Sequence, residues 1–132
     1  MKIIFNKPYI TGNEFKYVKK AIDSGHIAGN GKFSKKVENF FNINFGFRSS
    51  FVTTSCTDAL EMSAILSNLS TQSEVIIPSY TFVSSANAFA LRGAKIIFAD
   101  SEKNTPNIDV SKISKLVSNK TKAILVMHYG GI

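Results

Sequence analysis

The sequence predicts an α/β fold in which a mostly parallel sheet carries helices on both faces. Short apolar segments alternate with helical segments along the second half of the chain, which is typical of βαβ units. Three of these segments (VII, KIIFA and AILVM) are apolar at nearly every position, as strands buried on both faces are. Right-handed crossovers between parallel strands place the intervening helices on the two sides of the sheet.

The first part of the chain, residues 1–48, is predicted to be a helical segment with a glycine-rich loop. Thr11 and Glu14 have the spacing of a capping box, and apolar residues with helical periodicity follow them. Three glycines in residues 25–31 predict a loop. Ser34 is placed to cap a second helix.

The second part, residues 49–132, is predicted to hold the sheet. Predicted strands cover residues 51–54, 74–77, 95–99 and 122–127. Predicted helices cover residues 55–69, residues 82–92 and a short segment that Asp109 caps. Ser55 and Asp58 have a second capping spacing at the start of the first of these helices.

Composition and charge exclude several classes of protein. Of the 132 residues, 44% are hydrophobic and 19% are charged, which indicates a globular domain rather than a disordered chain. The single cysteine, Cys56, rules out an internal disulfide and a multi-cysteine zinc site. The net charge of +7 comes mainly from lysine, whereas base contacts in nucleic-acid complexes rely on arginine, so a nucleic-acid partner is disfavoured. No apolar segment reaches the length of a signal peptide or a membrane span, so a cytoplasmic protein is expected.

Candidate functional residues follow the predicted strands, because ligands in open α/β sheets bind at the carboxyl ends of the strands. Four such segments are residues 55–58, residues 78–82, Asp100 and residues 128–131. In the first segment, small hydroxyl and thiol side chains lead into a helix, whose free N–H groups and partial positive charge favour a phosphate. Plain helix capping by Ser55 or Thr57 explains the same residues equally well.

Other single residues have both a functional and a structural interpretation. Phe82 could stack on a planar ligand or pack in the core, and His128 and Tyr129 could face a ligand or pack at the end of a strand. Cys56 could be a nucleophile, but nothing in the sequence directs a histidine base to it, so a buried, inert thiol is expected. His26 lies in the glycine-rich loop and is most simply a solvated side chain.

Several motifs, taken in their order along the chain, resemble the DegT/DnrJ/EryC1/StrS family of sugar aminotransferases. They are FNKP at residues 5–8, SGHIAGNGKF at 24–33, TSCT at 54–57, PSYTFVSSANAF at 78–89, LRGAK at 91–95, NID at 107–109 and HY at 128–129. The resemblance covers essentially the whole chain. It implies the N-terminal part of the large domain of a fold-type I enzyme that depends on pyridoxal 5′-phosphate (PLP), with the small C-terminal domain absent.

The resemblance also implies roles for individual residues. Cys56, Thr57 and the backbone of Asp58 would hold the PLP phosphate, and Phe82 would stack on the pyridine ring. The nucleotide-sugar side would be lined by Ser55, by His26, Ile27, Ala28 and Gly29 of the glycine-rich loop, and by His128 and Tyr129. The implied reaction passes an amino group from glutamate to a keto sugar, dTDP-4-keto-6-deoxyglucose, in a homodimer.

Two residues that the family uses in catalysis have no match in this chain. They are the lysine that bonds covalently to PLP and the aspartate that pairs with the pyridinium nitrogen. Lys95 and Lys122 begin predicted strands, at the opposite end from the site. We therefore expect this chain, an N-terminal fragment by the resemblance, to be inactive alone. A PLP-dependent sugar dehydratase of the same fold and a non-catalytic, phosphate-binding fragment stay open as alternatives.

Overall fold

A computed structural model describes residues 3–4 and 6–131 of the chain. The chain divides into two compact units, Met1–Val52 and Thr53–Ile132. Phe5, the first residue of the FNKP motif, lies outside the described residues. None of the helices described in either unit has the length and apolar content that a membrane crossing requires.

The first unit contains two helices, α1 (Glu14–Asp23) and α2 (Lys32–Phe45), and neither helix contains a buried residue. The Thr11 N–H and hydroxyl donate to one oxygen of the Glu14 carboxylate, at 2.7 and 2.8 Å, and the Gly12 N–H donates to the other oxygen at 2.9 Å. These hydrogen bonds lower the pKa of Glu14 to about 2. Thr11 and Glu14 therefore interact, but they do not form the predicted capping box: the N-cap residue is Asn13, and the Thr11 hydroxyl donates to the Glu14 carboxylate instead of accepting a hydrogen bond from the Glu14 N–H.

The start of α2 differs from the prediction that Ser34 caps it. The helix begins at Lys32 behind Gly31, whose backbone is extended, so Ser34 lies inside the first turn. The Lys35 N–H donates to the Gly31 carbonyl at 3.1 Å and closes that turn. Glycine is an acceptable N-cap residue, which is why the helix can begin before the serine.

The second unit is a three-stranded parallel sheet with the strand order β2-β1-β3. Its elements are, in chain order, α3 (Cys56–Leu66), β1 (Glu74–Pro78), α4 (Val83–Ala90), β2 (Lys95–Ala99), α5 (Val110–Leu116), β3 (Thr121–Ile124) and a 3-10 turn (Tyr129–Gly131). The predicted α/β fold class is confirmed.

The central strand β1 is buried on both of its faces. Val75 and Ile77 pack on one face with residues of α3 and α4, among them Ala64 and Phe89. Ile76 points to the other face, where a second apolar cluster includes side chains of α5. Each buried side chain of this size contributes roughly 1.5–3 kcal/mol to the free energy of unfolding. Helices therefore cover both faces of the sheet, as predicted.

The prediction of a strand at residues 51–54 is wrong. This segment pairs with no strand in the described part of the chain, and its threonines instead bond to the beginning of α3. The Thr53 hydroxyl donates to the Ser55 carbonyl at 2.8 Å, and the Thr54 hydroxyl donates to the Asp58 carboxylate. Threonine is common in strands, but a strand forms only where a neighbouring strand completes its ladder.

The last strand, β3, is shorter than the predicted strand at residues 122–127. It ends at Ile124, and its pairing with β1 is interrupted by a register shift between Glu74 and Val75. The Leu125 N–H still donates to the Ile76 carbonyl at 2.8 Å, so the chain follows β1 for one more residue. Because residues 51–54 form no strand, the described sheet has three strands rather than the four that the sequence predicts.

Candidate functional site

The carboxyl edge of the sheet brings together several of the predicted strand-end segments. β1 leads through residues 79–82 into α4, and β3 leads to the turn that contains Tyr129. Because the strands are parallel, these segments emerge at the same edge. The Ser79 N–H donates to the Ala99 carbonyl at 2.8 Å, which ties the end of β1 to the end of β2.

The helix α3 begins with its N-terminus directed toward the same edge. It continues into β1 through residues 67–73, so its C-terminal end lies near the amino ends of the strands. Ser55 is the N-cap residue, and its hydroxyl oxygen accepts a hydrogen bond from the Asp58 N–H at 3.1 Å. The hydrogen bond from Thr54, followed by those from Ser55, lowers the pKa of the Asp58 carboxyl. The predicted capping pair of Ser55 and Asp58 is confirmed.

The first N–H groups of α3 can receive an anion. Those of Cys56 and Thr57 have no intrahelical acceptor at this position, whereas the N–H of Asp58 already donates to Ser55. An anion at this helix end would therefore bond first to Cys56 and Thr57 and would share the N–H of Asp58 with the capping serine. The expectation that Cys56 is buried is wrong, because the thiol is exposed at the open end of the helix.

Phe82 presents its ring to solvent at the carboxyl edge. It is the N-cap residue of α4, with extended backbone angles (φ −73°, ψ 145°), and 72% of its surface is exposed. The hydroxyls of Thr81 and Ser85 are 2.9 Å apart and Ser85 is buried, which fixes the first turn of α4. The alternative that Phe82 is a core aromatic is therefore wrong, and the ring is free to contact a ligand.

A cleft of about 310 Å³ opens beside this ring. It is lined by Ser79, Tyr80, Thr81, Phe82 and Tyr129. The rings of Tyr80 and Tyr129 meet edge to face, with their centroids 4.9 Å apart. A hydrogen bond between these two tyrosines is the main cause that raises the pKa of Tyr129. His128, which precedes Tyr129, is exposed.

Sequence reasoning did not single out Tyr80 or Asn107 as individual site residues. Asn107 lies in the loop after β2, and its side-chain oxygen accepts a hydrogen bond from the Tyr129 N–H at 3.1 Å. Tyr80 appears in the sequence analysis as part of a strand-end segment and of the PSYTFVSSANAF motif, and Asn107 as part of the NID motif. Both residues follow neighbouring strands, and this position is the one feature of the sequence that indicates a site at the carboxyl edge. Their contacts with Tyr129 could not be predicted, because they join distant parts of the sequence.

The glycine-rich loop with residues 26–29 belongs to the first unit. The His26 Nε2 atom is 3.3 Å from the Gly29 carbonyl oxygen, which closes the loop on itself. A separate cleft of about 330 Å³ lies between α1 and α2, and His26, Ile27 and Ala28 are among the residues that line it. These residues have the mixed apolar and polar character of a small-molecule pocket.

The described residues include no group of three or more histidine, cysteine, aspartate or glutamate side chains placed to bind a metal ion. The Lys112 ammonium is 3.4 Å from carboxylate oxygens of both Asp100 and Asp109. These hydrogen bonds and charges raise the pKa of Lys112. Asp100, one of the predicted strand-end candidates, thus makes an ion pair with α5.

Comparison with known proteins gives consistent matches along nearly the whole chain. The model of the DegT/DnrJ/EryC1/StrS aminotransferase family matches residues 8–132. GDP-perosamine synthase from Escherichia coli O157:H7 is 35% identical over 125 residues, which are 95% of this chain and 34% of that protein. The chain therefore spans about a third of the length of the curated relatives it matches.

Solved structures with the same fold include two that are 26% identical in sequence. One is the PMP form of Spr1654 from Streptococcus pneumoniae, described as a sugar aminotransferase, with a TM-score of 0.85 over 96% of this chain and 32% of that one. The other is 3-amino-5-hydroxybenzoic acid synthase, with a TM-score of 0.86 over 96% of this chain and 33% of that one. This chain superimposes on about a third of each of these two longer proteins.

Proposed function

Because this chain belongs to the DegT/DnrJ/EryC1/StrS aminotransferase family, we propose that it binds PLP at the carboxyl edge of its sheet, as part of a sugar-nucleotide aminotransferase. The observation that carries the proposal is the exposed Phe82 ring at the start of α4, in the same unit as the open N-terminus of α3. A flat, phosphorylated ligand needs both features, an aromatic face and a set of N–H donors.

The residues present fit the cofactor. The N–H groups of Cys56 and Thr57, with a shared N–H from Asp58, would bond to the phosphate at the beginning of α3. Phe82 would cover one face of the pyridine ring and exclude water from it. When bound, PLP supplies an electron-withdrawing ring that carries the amino group between donor and acceptor. The residues of this chain hold and orient that ring.

We propose a keto-deoxysugar linked to a nucleotide as the amino acceptor and glutamate as the donor. Ser55, His128 and Tyr129 would face the sugar, and the loop of residues 26–29 would contact the nucleotide. The sequence resemblance favours dTDP-4-keto-6-deoxyglucose, whereas the relative named above is a GDP-perosamine synthase. A comparison of binding between dTDP-linked and GDP-linked sugars distinguishes these two nucleotides.

We also propose that this chain binds the cofactor without turning over substrate. Lys95 begins β2 and Lys122 lies in β3, so both are near the amino ends of the strands and away from the proposed site. The whole enzyme would be a homodimer, as the family resemblance implies. The alternative of a sugar dehydratase depends on a catalytic residue that is not among those assigned here, and nothing in the described residues favours it.

The test is PLP binding followed by absorbance, with Phe82→Leu as the variant and Phe98→Leu as its control. Phe98 is a second exposed phenylalanine in the same unit, 59% exposed, in β2. Loss of ring stacking is expected to weaken PLP binding about 2- to 10-fold in Phe82→Leu and to leave Phe98→Leu unchanged. Equal binding by both variants would contradict the proposed site, and amino transfer from glutamate to a nucleotide-linked keto sugar by this chain alone would contradict the absence of turnover.

A further inference from the structure

The contact between Tyr80 and Tyr129 joins the ends of two neighbouring strands. Tyr80 follows β1 and Tyr129 follows β3, and the two rings meet at an interplanar angle of 67° with centroids 4.9 Å apart. The interaction of the two side chains raises the pKa of Tyr129 above its ordinary value. Both rings stay partly open to solvent, Tyr80 at 51% and Tyr129 at 39%, so the pair lies at a surface rather than in the core.

The backbone of Tyr129, which follows β3, is held by a hydrogen bond to the loop after β2. The Tyr129 N–H donates to the side chain of Asn107, in the loop that follows β2. That loop is closed by an isolated bridge between Ser101 and Ile108, and the Ser101 hydroxyl donates to the Pro106 carbonyl at 3.1 Å. Tyr129 is therefore positioned by the segments that follow all three strands.

The pair has a hydroxyl proton to donate outward. Each phenol carries one proton, and an interaction between the two hydroxyls can use at most one of the two, which leaves at least one proton for an outside acceptor. A tyrosine phenol is protonated at neutral pH, and the interaction with Tyr80 moves the pKa of Tyr129 further above that range. The pair consequently offers one neutral hydrogen-bond donor to whatever occupies the cleft.

The lining of the cleft identifies the class of ligand that this donor meets. All five residues that line it are neutral, and they supply aromatic rings and hydroxyl groups, including those of Ser79 and Thr81. None of them carries the positive charge of a lysine or arginine, which phosphate recognition commonly uses. Aromatic faces with hydroxyl groups suit the uncharged, oxygen-rich ring of a sugar.

We infer that the Tyr80–Tyr129 pair is the subsite for the sugar ring of the substrate, and that its outward hydroxyl proton is donated to a sugar oxygen. This inference rests on the proposed function, and it adds Tyr80 to the residues that contact substrate. Asn107 is a positioning residue, because its side-chain oxygen accepts the hydrogen bond from the backbone N–H of Tyr129. Phe82, in the same cleft, faces the cofactor side.

The experiment compares a nucleotide sugar with its free nucleotide, so that only the sugar differs. The probes are GDP-mannose and GDP, with dTDP-glucose and dTDP as the second series, added to the chain labelled with ¹³C at the tyrosine ring. The chain has four tyrosines, and Tyr80→Phe, Tyr129→Phe and Tyr17→Phe assign their signals. Phenylalanine keeps the ring contact, so the double variant Tyr80→Phe/Tyr129→Phe removes only the hydroxyls.

In one of the two series, the sugar is expected to tighten binding about 5- to 10-fold over the free nucleotide and to shift the signals of Tyr80 and Tyr129. The double variant is expected to bind the nucleotide sugar and the free nucleotide with about equal affinity, a ratio of about 1, while Tyr17→Phe keeps the native ratio. The single variant Tyr80→Phe is expected to return the pKa of Tyr129 toward its ordinary value.

Three results would overturn the inference. The first is a double variant that keeps the native ratio of nucleotide-sugar affinity to free-nucleotide affinity. The second is a free nucleotide that shifts the NMR signals of Tyr80 and Tyr129 as much as the nucleotide sugar does. The third is the absence of any shift of these signals with either nucleotide sugar. If the chain binds PLP through Phe82 but gives one of these results, only the sugar subsite is contradicted. If the sugar test gives the expected result but the chain does not bind PLP, the proposed cofactor site is contradicted instead.

Discussion

The Ser55 hydroxyl oxygen accepts a hydrogen bond from the Asp58 N–H at 3.1 Å, and this contact fixes the first turn of α3. It leaves the N–H groups of Cys56 and Thr57 at the open end of the helix. The same few residues therefore stabilise the helix and prepare a site for an anion. The stability of the turn and its capacity to bind phosphate can be measured separately.

Replacement of the capping serine is expected to destabilise α3. Ser55→Ala removes the acceptor for the Asp58 N–H and should lower the free energy of unfolding by about 1 kcal/mol. Ser63→Ala is the matched control, because the Ser63 hydroxyl donates to the Ala59 carbonyl in the middle of the same helix and caps nothing. Urea unfolding measures both variants. An equal loss in the two would show that the cap contributes nothing specific.

The lowered pKa of Glu14 predicts a pH dependence of stability. A carboxylate whose pKa falls on folding, here from 4.5 to about 2, stabilises the fold above pH 4.5 and loses that effect as the pH falls toward 2. The difference in urea midpoint between the native chain and Glu14→Gln should be constant above about pH 5 and shrink below pH 4.5. Thr11→Val, which removes one hydroxyl donor, should shift the window toward higher pH.

A difference that persists unchanged at pH 2.5 would contradict the hydrogen bonds to Glu14. Circular dichroism at the helical band follows the unfolding of α1, where this carboxylate lies. Glu14 is fully exposed, so the direction and the pH window of the change are the prediction.

Gly31 is expected to tolerate no side chain without a movement of His26. A Cβ atom at Gly31 would lie 3.0 Å from the His26 Cδ2 atom, whereas one at Gly29 would have no neighbour within 4 Å. Gly31→Ala should therefore displace the imidazole and alter its NMR signals, and Gly29→Ala should leave them in place. The chain has two histidines, so the signals are readily assigned. Identical spectra for both variants would show that the loop does not hold His26 near Gly31.

The fold could be predicted where local rules decide it. Asp109 caps α5 by accepting a hydrogen bond from the Ser111 N–H at 3.1 Å, and β2 has the predicted bounds of residues 95–99. Both depend on short-range patterns, a capping residue and a run of β-branched side chains. The strand expected at residues 51–54 failed because strand formation depends on a partner that the local sequence does not specify.

The candidate site could be predicted only in part. The strand-end segments and the cap at Ser55 follow from the order of the elements and from residue type. The exposure of Phe82 and Cys56 could not be predicted, since burial depends on which helix faces meet the sheet. The contact of Tyr80 with Tyr129 could not be predicted either, because it joins residues that are brought together only when β1 and β3 pair in register.

Asn107 is expected to hold Tyr129 through its side-chain oxygen. Asn107→Asp keeps an acceptor for the Tyr129 N–H, and Asn107→Ala removes it. Hydrogen exchange of the Tyr129 amide should become about 5- to 10-fold faster in the alanine variant and stay near the native rate in the aspartate variant. Equal exchange in the native chain and both variants would remove Asn107 from the set of positioning residues.

The central claim is that a flat, phosphorylated cofactor contacts the start of α3 and the Phe82 ring at the same time. An NMR titration of the labelled chain with PLP tests it most directly, with pyridoxal as the probe that lacks the phosphate. We predict that PLP shifts the Cys56 and Thr57 amide signals and the Phe82 ring signals together, and that pyridoxal affects the Phe82 ring without the amides. Saturation of both groups at different PLP concentrations, or shifts confined to residues outside these two segments, would contradict the claim.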